Sequence, residues 1–281
     1  MLNRETGVPV FPVEERPVPK SDVPEEVPSP TQPFPTAPPP VIPQHMTAAD
    51  LWGPSQAACE AAIRDLRNDG LFTPPSLHGT LVMPGMLGGM NWSGYAFDAQ
   101  RHLLVVIANI MPAKVRIIPR AEFDDHSRRT DNGDYSTQAG APYGMFRRFI
   151  QGPAGMPCNH PPWDLLTAID LDAGTIKWQV PLGSLLGPGG PAGSISLGGP
   201  IVTAGGLVLI AGTVDPFLRA IDVETGRVLW QGALPASGHA TPMTYQTQPG
   251  GRQFVVIAAG GHAKITETPV SDALVAFALP K

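Results

Sequence analysis

Only two cysteines occur among the 281 residues, Cys59 and Cys158. They form no C-x-x-C pair, and the one close histidine, His160, completes at most half of a metal site. That leaves two buried or oxidised structural cysteines. Runs of lysine or arginine are also missing, and the net charge is −5, which argues against a nucleic-acid or anionic-membrane surface. No apolar run reaches the ~18 residues that span a bilayer. The longest, "LLVVIANIMPAKV" (103–115), is interrupted by Asn109 and Pro112. The opening "MLNRETGVPV" lacks the basic-then-apolar pattern of an export signal, so the chain as written is not expected to export itself. A G-x-S-x-G nucleophile elbow is absent too, which sets aside a Ser/His/Asp hydrolase.

What is abundant is proline, glycine and short apolar runs. Hydrophobic residues make up 42% of the chain, enough for a substantial core. More than a third of the 34 prolines fall between residues 8 and 43. Proline lacks an N–H and fixes φ, so this stretch is neither helix nor central strand. It reads as an extended, partly polyproline II segment over a larger surface, or as a disordered linker. One helix is predicted over residues 54–68, with Pro54 in its first turn and Gly70 beyond its end. Ala58, Ala62, Ile63 and Leu66 form its apolar stripe; Glu60, Arg64 and Asp65 face away.

Beyond Gly79 the pattern changes to strands. "GTLVMPG", "HLLVVIAN", "KVRIIPR", "LLTAIDL", "TIKWQVPL", "GLVLIAGT", "FLRAIDV", "RVLWQGAL", "PMTYQ", "RQFVVIAAG" and "ALVAFALP" are short apolar runs between Gly, Pro, Asp and Asn. The connections are too short for crossover helices, so the sheets are expected to be antiparallel. Two segments repeat at a spacing of 52 residues: "LTAIDLDAGTIKW", beginning at Leu166, and "LRAIDVETGRVLW", beginning at Leu218. Ala168/Ala220, Ile169/Ile221, Asp170/Asp222, Gly174/Gly226 and Trp178/Trp230 are identical pairs. Each copy reads as strand, tight turn with a glycine at positive φ, then a strand carrying Trp. A four-stranded unit of about fifty residues is a β-propeller blade in sequence, with the Trp packed between blades and the small Ala leaving it room.

The A-x-D-x-x-(T/A)-G-x-x-x-W repeat resembles the tryptophan-docking motif of quinoprotein dehydrogenases, eight-bladed propellers that hold pyrroloquinoline quinone (PQQ). "MPGMLGGMNWSGYAFD", "GAPYGMFRRF", "GPAGMPCNHPPWDLLTAIDL", "LGGPIVTAGGLVLIAGT", "LPASGHATPMTY" and "RQFVVIAAGGH" resemble the membrane-bound glucose/quinate/shikimate type. "LNRETGVPVFPVEERPVP" resembles a blade strand and the proline-rich excursion after it. The resemblance runs from Leu2 to Pro280. It implies an all-β fold: a partial eight-bladed propeller of about four C-terminal blades, with a proline-rich excursion and one short helix. Residues 1–7 would be the remnant of a blade strand, 8–46 the proline-rich segment, 47–78 a helical insertion and 79–281 the blades.

The function implied is the oxidation of a sugar, polyol or cyclic alcohol of the glucose, quinate or shikimate class. PQQ would accept the hydride with a Ca²⁺ or Mg²⁺ ion beside it, and ubiquinone would accept the electrons. The family's catalytic Asp, cation ligands and quinone-binding Lys lie upstream of the equivalent of Met1, so no catalytic or metal residue is assigned. Asp170 and Asp222 are turn residues by context. The partner would be the missing N-terminal part of the propeller, and the place the periplasmic face of the inner membrane. In that oxidising compartment Cys59 and Cys158 could pair, unless their Cα atoms stand more than about 7 Å apart. Cofactor-binding candidates carried over by resemblance are Asn109, Asn91, Trp92, Gly261 and His262. Trp92 and Asn109 have bland alternatives, as core side chain and strand-end cap. His239 stands where a different polar residue is expected and reads as a surface histidine. A second reading is a propeller scaffold or binding module without catalysis. Assembly propellers of that kind share the repeat but lack "GGMNW" and "AGGH".

Overall fold

The computed structural model describes residues 1–90, 94–125, 129, 132–187, 190, 192–263, 265 and 269–279. In chain order the elements are β1 (Val13–Pro17), β2 (Thr31–Pro35), α1 (Gln56–Ile63), β3 (Thr80–Val82), β4 (Tyr95–Asp98), β5 (Leu103–Asn109), β6 (Ala113–Pro119), α2 (Arg120–Asp124), β7 (Asp134–Ser136), β8 (Tyr143–Phe149), β9 (Asp164–Asp170), β10 (Thr175–Val180), β11 (Ile201–Val202), β12 (Leu207–Ile210), β13 (Phe217–Asp222), β14 (Val228–Ala233), β15 (Met243–Gln246), β16 (Gln253–Ala259) and β17 (Ala273–Ala278). All eleven predicted runs contain a strand, and every strand pairing is antiparallel. The chain divides into two units, residues 1–88 with 110–160, and residues 89–109 with 161–281. Residues 110–160 group with the N-terminal segments. They form an excursion between β5 and β9, which are themselves hydrogen-bonded neighbours.

In the first unit, the proline-rich stretch is more ordered than its composition suggests. β1 and β2 pair in register from Val13↔Pro35 to Pro17↔Thr31. In this two-stranded ribbon both strands are edges, the one sheet position proline tolerates. A four-stranded sheet runs in the order β3-β6-β8-β7. Helix α1 is shorter than predicted and ends at Ile63. The chain cannot continue as helix because Arg67 is drawn into backbone bonds with Gly79 and Leu81. Its buried contact is Cys59, with Ala62, Ile63 and Leu66 packed beside it, while Ala58 is exposed. The second short helix, α2, was not expected; Phe123 on it is buried against Phe146 and Ile118. Cys59 and Cys158 form a disulfide with Cα atoms 5.6 Å apart, inside a cluster of Met46, Leu51, Leu81 and Ile150.

The second unit holds three sheets: β10-β9-β5-β4, β11-β12-β13-β14 and β15-β16-β17. The apolar runs of β5, β9, β12 and β13 bury Leu103, Val105, Ile107, Leu166, Val208, Ile210 and Ile221 in one cluster between the first two sheets. The sequence repeat is a repeat of geometry. Asp170 Oδ1 accepts from the N–H of Asp172 and Ala173, and Gly174 N–H returns to the Asp170 carbonyl at φ +64°. Asp222 does the same with Glu224, Thr225 and Gly226, at φ +73°. Both aspartates are therefore turn formers, as their context predicted. Each Trp lies directly across from its Ala, Trp178 from Ala168 and Trp230 from Ala220, with a bulge just before it.

That bulge turns the indole out of its own sheet and onto the next. Trp178 Nε1 donates to the Val223 carbonyl at 2.8 Å, and its ring lies where a Cβ on Gly226 would stand. Trp230 meets Phe277 of β17 edge to face at 5.1 Å. A third copy of the turn, missed in the repeat, sits at the N-terminus of the first unit. Asn3 Oδ1 accepts from Glu5 and Thr6, and Gly7 closes on the Asn3 carbonyl at φ +72°.

Candidate functional site

The strands β5, β12 and β16 end in similar words, "VVIAN", "VLIAG" and "VVIAAG", and the alanines Ala108, Ala211 and Ala259 are buried. Beyond them the strand ends are tied together by the segments that link one sheet to the next. Leu197 N–H donates to the Gly212 carbonyl, Gly212 N–H to Gly238, and Gly261 N–H to Ser237, at 2.7–2.9 Å. The result is a seam of backbone in which side chains have little space. Gly212 is at φ +74°, and a Cβ there would lie 2.7 Å from the Gly198 oxygen. Only glycine meets both demands. Gly261, at φ +69°, would bring a Cβ within 2.5 Å of the Pro269 oxygen.

Asn109 and Asp164 are cross-strand partners at one end of this seam. Asn109 Nδ2 donates to the Ser196 carbonyl at 2.8 Å, and its Oδ1 accepts from the Ser196 N–H at 2.9 Å. The amide thus imitates a strand partner, and at 4% exposure it lies within the protein. Asp164 accepts from the Ser196 hydroxyl and from the Leu182 N–H. Burial pushes its carboxyl up to about 7, against the pull of these donors, the Ser194 N–H and the Arg219 charge. Arg219 itself is held by Asp215 and Thr213.

This carboxyl has a consequence for stability. Its folded pKa lies above its unfolded value, so between about pH 4 and pH 7 the native state holds a proton that the unfolded chain releases. Stability should therefore fall as pH rises through that window and level off above it, with an upper bound of about 4 kcal/mol for this group. Asp164→Asn keeps an acceptor for Leu182, is isosteric with the carboxyl and does not titrate. Urea midpoints measured from pH 4 to 8 should show a flatter pH profile in the variant, and a higher midpoint than wild type at pH 8. An unchanged profile would rule out Asp164 as the source.

Residues 1–255 match the family described as "PQQ: Glucose/ethanol/alcohol dehydrogenase, beta-propeller domain". The chain belongs to this PQQ dehydrogenase propeller family. Among its relatives, the quinoprotein glucose dehydrogenase of Escherichia coli is 36% identical over 298 residues. The probable quinate dehydrogenase (quinone) of Xanthomonas campestris is 38% identical over 299, and the glycerol dehydrogenase large subunit of Gluconobacter oxydans 38% over 307. In each case all of this chain is matched, against 37%, 37% and 41% of the relative. The chain therefore spans little more than a third of the length of these relatives.

Within the PQQ dehydrogenase propeller, the residues singled out by resemblance fall as follows. Asn91 and Trp92 lie outside the described residues. Asn109 stands at the seam with both amide atoms engaged by Ser196. Gly261 is part of the seam, and His262 is half-buried immediately beyond it. Among the described residues no group of three or more His, Cys, Asp or Glu side chains could hold a metal ion. His239 is not the surface residue expected. Its ring packs edge to face on His262, centroids 5.8 Å apart, and both its nitrogens are buried. It follows Gly238 in the seam, which carries it inward. Asp164, Ser196 and His239 were all missed as members of this site. The repeated strand endings were the signal that could have located them.

Proposed function

We propose that this chain is the C-terminal part of a quinoprotein dehydrogenase that oxidises a sugar, polyol or cyclic alcohol. PQQ is the hydride acceptor and ubiquinone the electron acceptor. The observation that carries this reading is 36–38% identity along the whole chain to dehydrogenases named for glucose, quinate and glycerol. When bound, the quinone and a divalent cation supply the electrophilic carbonyl that takes up hydride. The glycine seam is close-packed backbone, with Gly212 against Gly198 and Gly261 against Pro269, and it forms a rigid support for whatever binds beside it. Gly260, Gly261 and His262 border it, and the His262 imidazole hydrogen-bonds a cofactor or substrate oxygen. Asn109 acts from behind, by fixing Ser196. The cation ligands and the catalytic base belong to the part of the relatives that this chain does not span, and that part is its partner. The Cys59–Cys158 disulfide supports an oxidising compartment such as the periplasm, where such bonds persist, and placement at the inner membrane there rests on the family likeness.

Two measurements test the reading. The purified chain alone should neither bind PQQ with sub-micromolar affinity nor reduce dye with glucose, quinate, shikimate or glycerol. Co-expressed with the N-terminal portion of a relative's propeller, it should restore PQQ- and cation-dependent oxidation of at least one of them. Tight binding by the chain alone, or a reassembled protein inert toward all four, would sink the proposal. In the reassembled enzyme His262→Asn should raise KM or change the preference among these substrates by about 3–10-fold, the worth of one hydrogen bond. Its effect on stability should stay within about 0.5 kcal/mol. Unchanged kinetics on all four substrates would remove His262 from the site.

A further inference from the structure

We propose that His239 is a positioning residue that sets the ring of His262; the functional value of this rests on the reading just given. The two histidines flank one backbone hydrogen bond. Gly261 N–H donates to Ser237 at 2.9 Å, with His262 next to the donor residue and His239 two positions after the acceptor. On its other side His262 bridges to the buried Ile265, whose N–H returns to the His262 carbonyl at 2.9 Å. The backbone on which His262 sits is therefore held on both sides. The His239 ring lies against the His262 ring at 5.8 Å and 77°, the edge-to-face arrangement that aromatic pairs favour.

His239 is a costly residue for a purely structural role. Among the described residues neither ring nitrogen finds a hydrogen-bond partner of normal geometry although both are buried, and such groups call for an explanation. An apolar side chain would fill the space without that cost. What the ring supplies is a flat face set against a second imidazole. Burial holds the pKa of His239 below the usual histidine value; the Gly212 backbone opposes this, and His262 adds to it. A positive charge on His239 next to His262 is thereby disfavoured. Its neighbours, Gly238 and Ala240, leave it no lateral freedom: a Cβ on Gly238 would meet Ile257, Leu234 and Ala211 within 3.1 Å, and Ala240 packs in the same apolar cluster.

The test separates ring placement from catalysis. In the chain itself, the ¹H–¹³C ring signals of His262 should carry a ring-current shift from His239. His239→Gln should move those signals toward the position of a free histidine, and His239→Phe should keep them displaced, with circular dichroism confirming the fold of both. In the reassembled enzyme, His239→Gln should raise KM at least threefold with kcat within twofold, and His239→Phe should restore KM. The double variant His239→Gln/His262→Asn should be no worse than His262→Asn alone, as expected for residues acting in series. His262 signals indifferent to His239→Gln, or a double variant whose KM effects multiply, would overturn the assignment. A reassembled wild type without dehydrogenase activity would overturn the functional reading only, because the spectra decide the ring contact independently.

Discussion

Reducing the Cys59–Cys158 bond, or replacing both cysteines with serine, should remove about 4–5 kcal/mol from the stability of the unit formed by residues 1–88 and 110–160. The bond joins residues 99 apart, and on the chain-entropy model a closed loop of that length is worth this much. The local structure gives little to replace it. Helix α1 has eight residues, well below the length at which a helix persists by itself. It is held by the disulfide and by the small cluster around Met46, Leu51, Leu81 and Ile150. Guanidinium unfolding with and without reductant measures the effect, and hydrogen exchange locates it. Amides of α1 and of β3 should lose protection first, while β5, β9, β12 and β13, in the other unit, keep theirs. A midpoint that does not move on reduction would mean that the apolar cluster alone holds the helix.

How far this architecture could be read in advance depends on how local its causes are. The Asp-x-x-(T/A)-Gly turn is closed within five residues, so its conformation is written in those residues, and both copies were legible. The Asn3 copy was missed because it replaces Asp with Asn and its following strand runs into Pro9 and Pro12. The helix was legible but too long by about two turns, chiefly at its end, which is set by Arg67 pairing with Gly79 and Leu81. No periodicity reveals such a contact. The strands β4, β7, β8 and β11 were overlooked because charged residues or extreme shortness hide their alternation. Among the candidate residues, Gly261 and His262 drew attention through the glycine pair. Asp164 did not, because its character comes from complete burial and from Ser196, thirty-two residues away. His239 was misread for the same reason: only the fold brings it against His262.

Of the two docking tryptophans, Trp178 should matter more than Trp230, although the sequence makes them equivalent. Trp178→Ala should destabilise the unit of residues 89–109 and 161–281 by about 3 kcal/mol, and Trp230→Ala by about 1–2 kcal/mol. The difference lies in what each indole reaches. Trp178 packs against the buried cluster of Leu103, Leu166, Val208 and Ile221. Its N–H is satisfied by the Val223 carbonyl, which the substitution would leave without that donor. Around it, Glu224 receives both Lys177 at 2.7 Å and Arg101 at 2.9 Å, so the same turn is drawn down from two sides. Trp230 is 42% exposed and gains chiefly its edge-to-face contact with Phe277. Such a contact is worth about 0.5–1.5 kcal/mol beyond the area it buries. Trp178→Phe provides the control. It keeps an aromatic plate over Gly226 but removes the N–H, and should cost less than Trp178→Ala by at least about 1 kcal/mol. Equal losses at positions 178 and 230 in urea unfolding would show that the indole plate alone, and not its partners on the next sheet, sets the strength of docking.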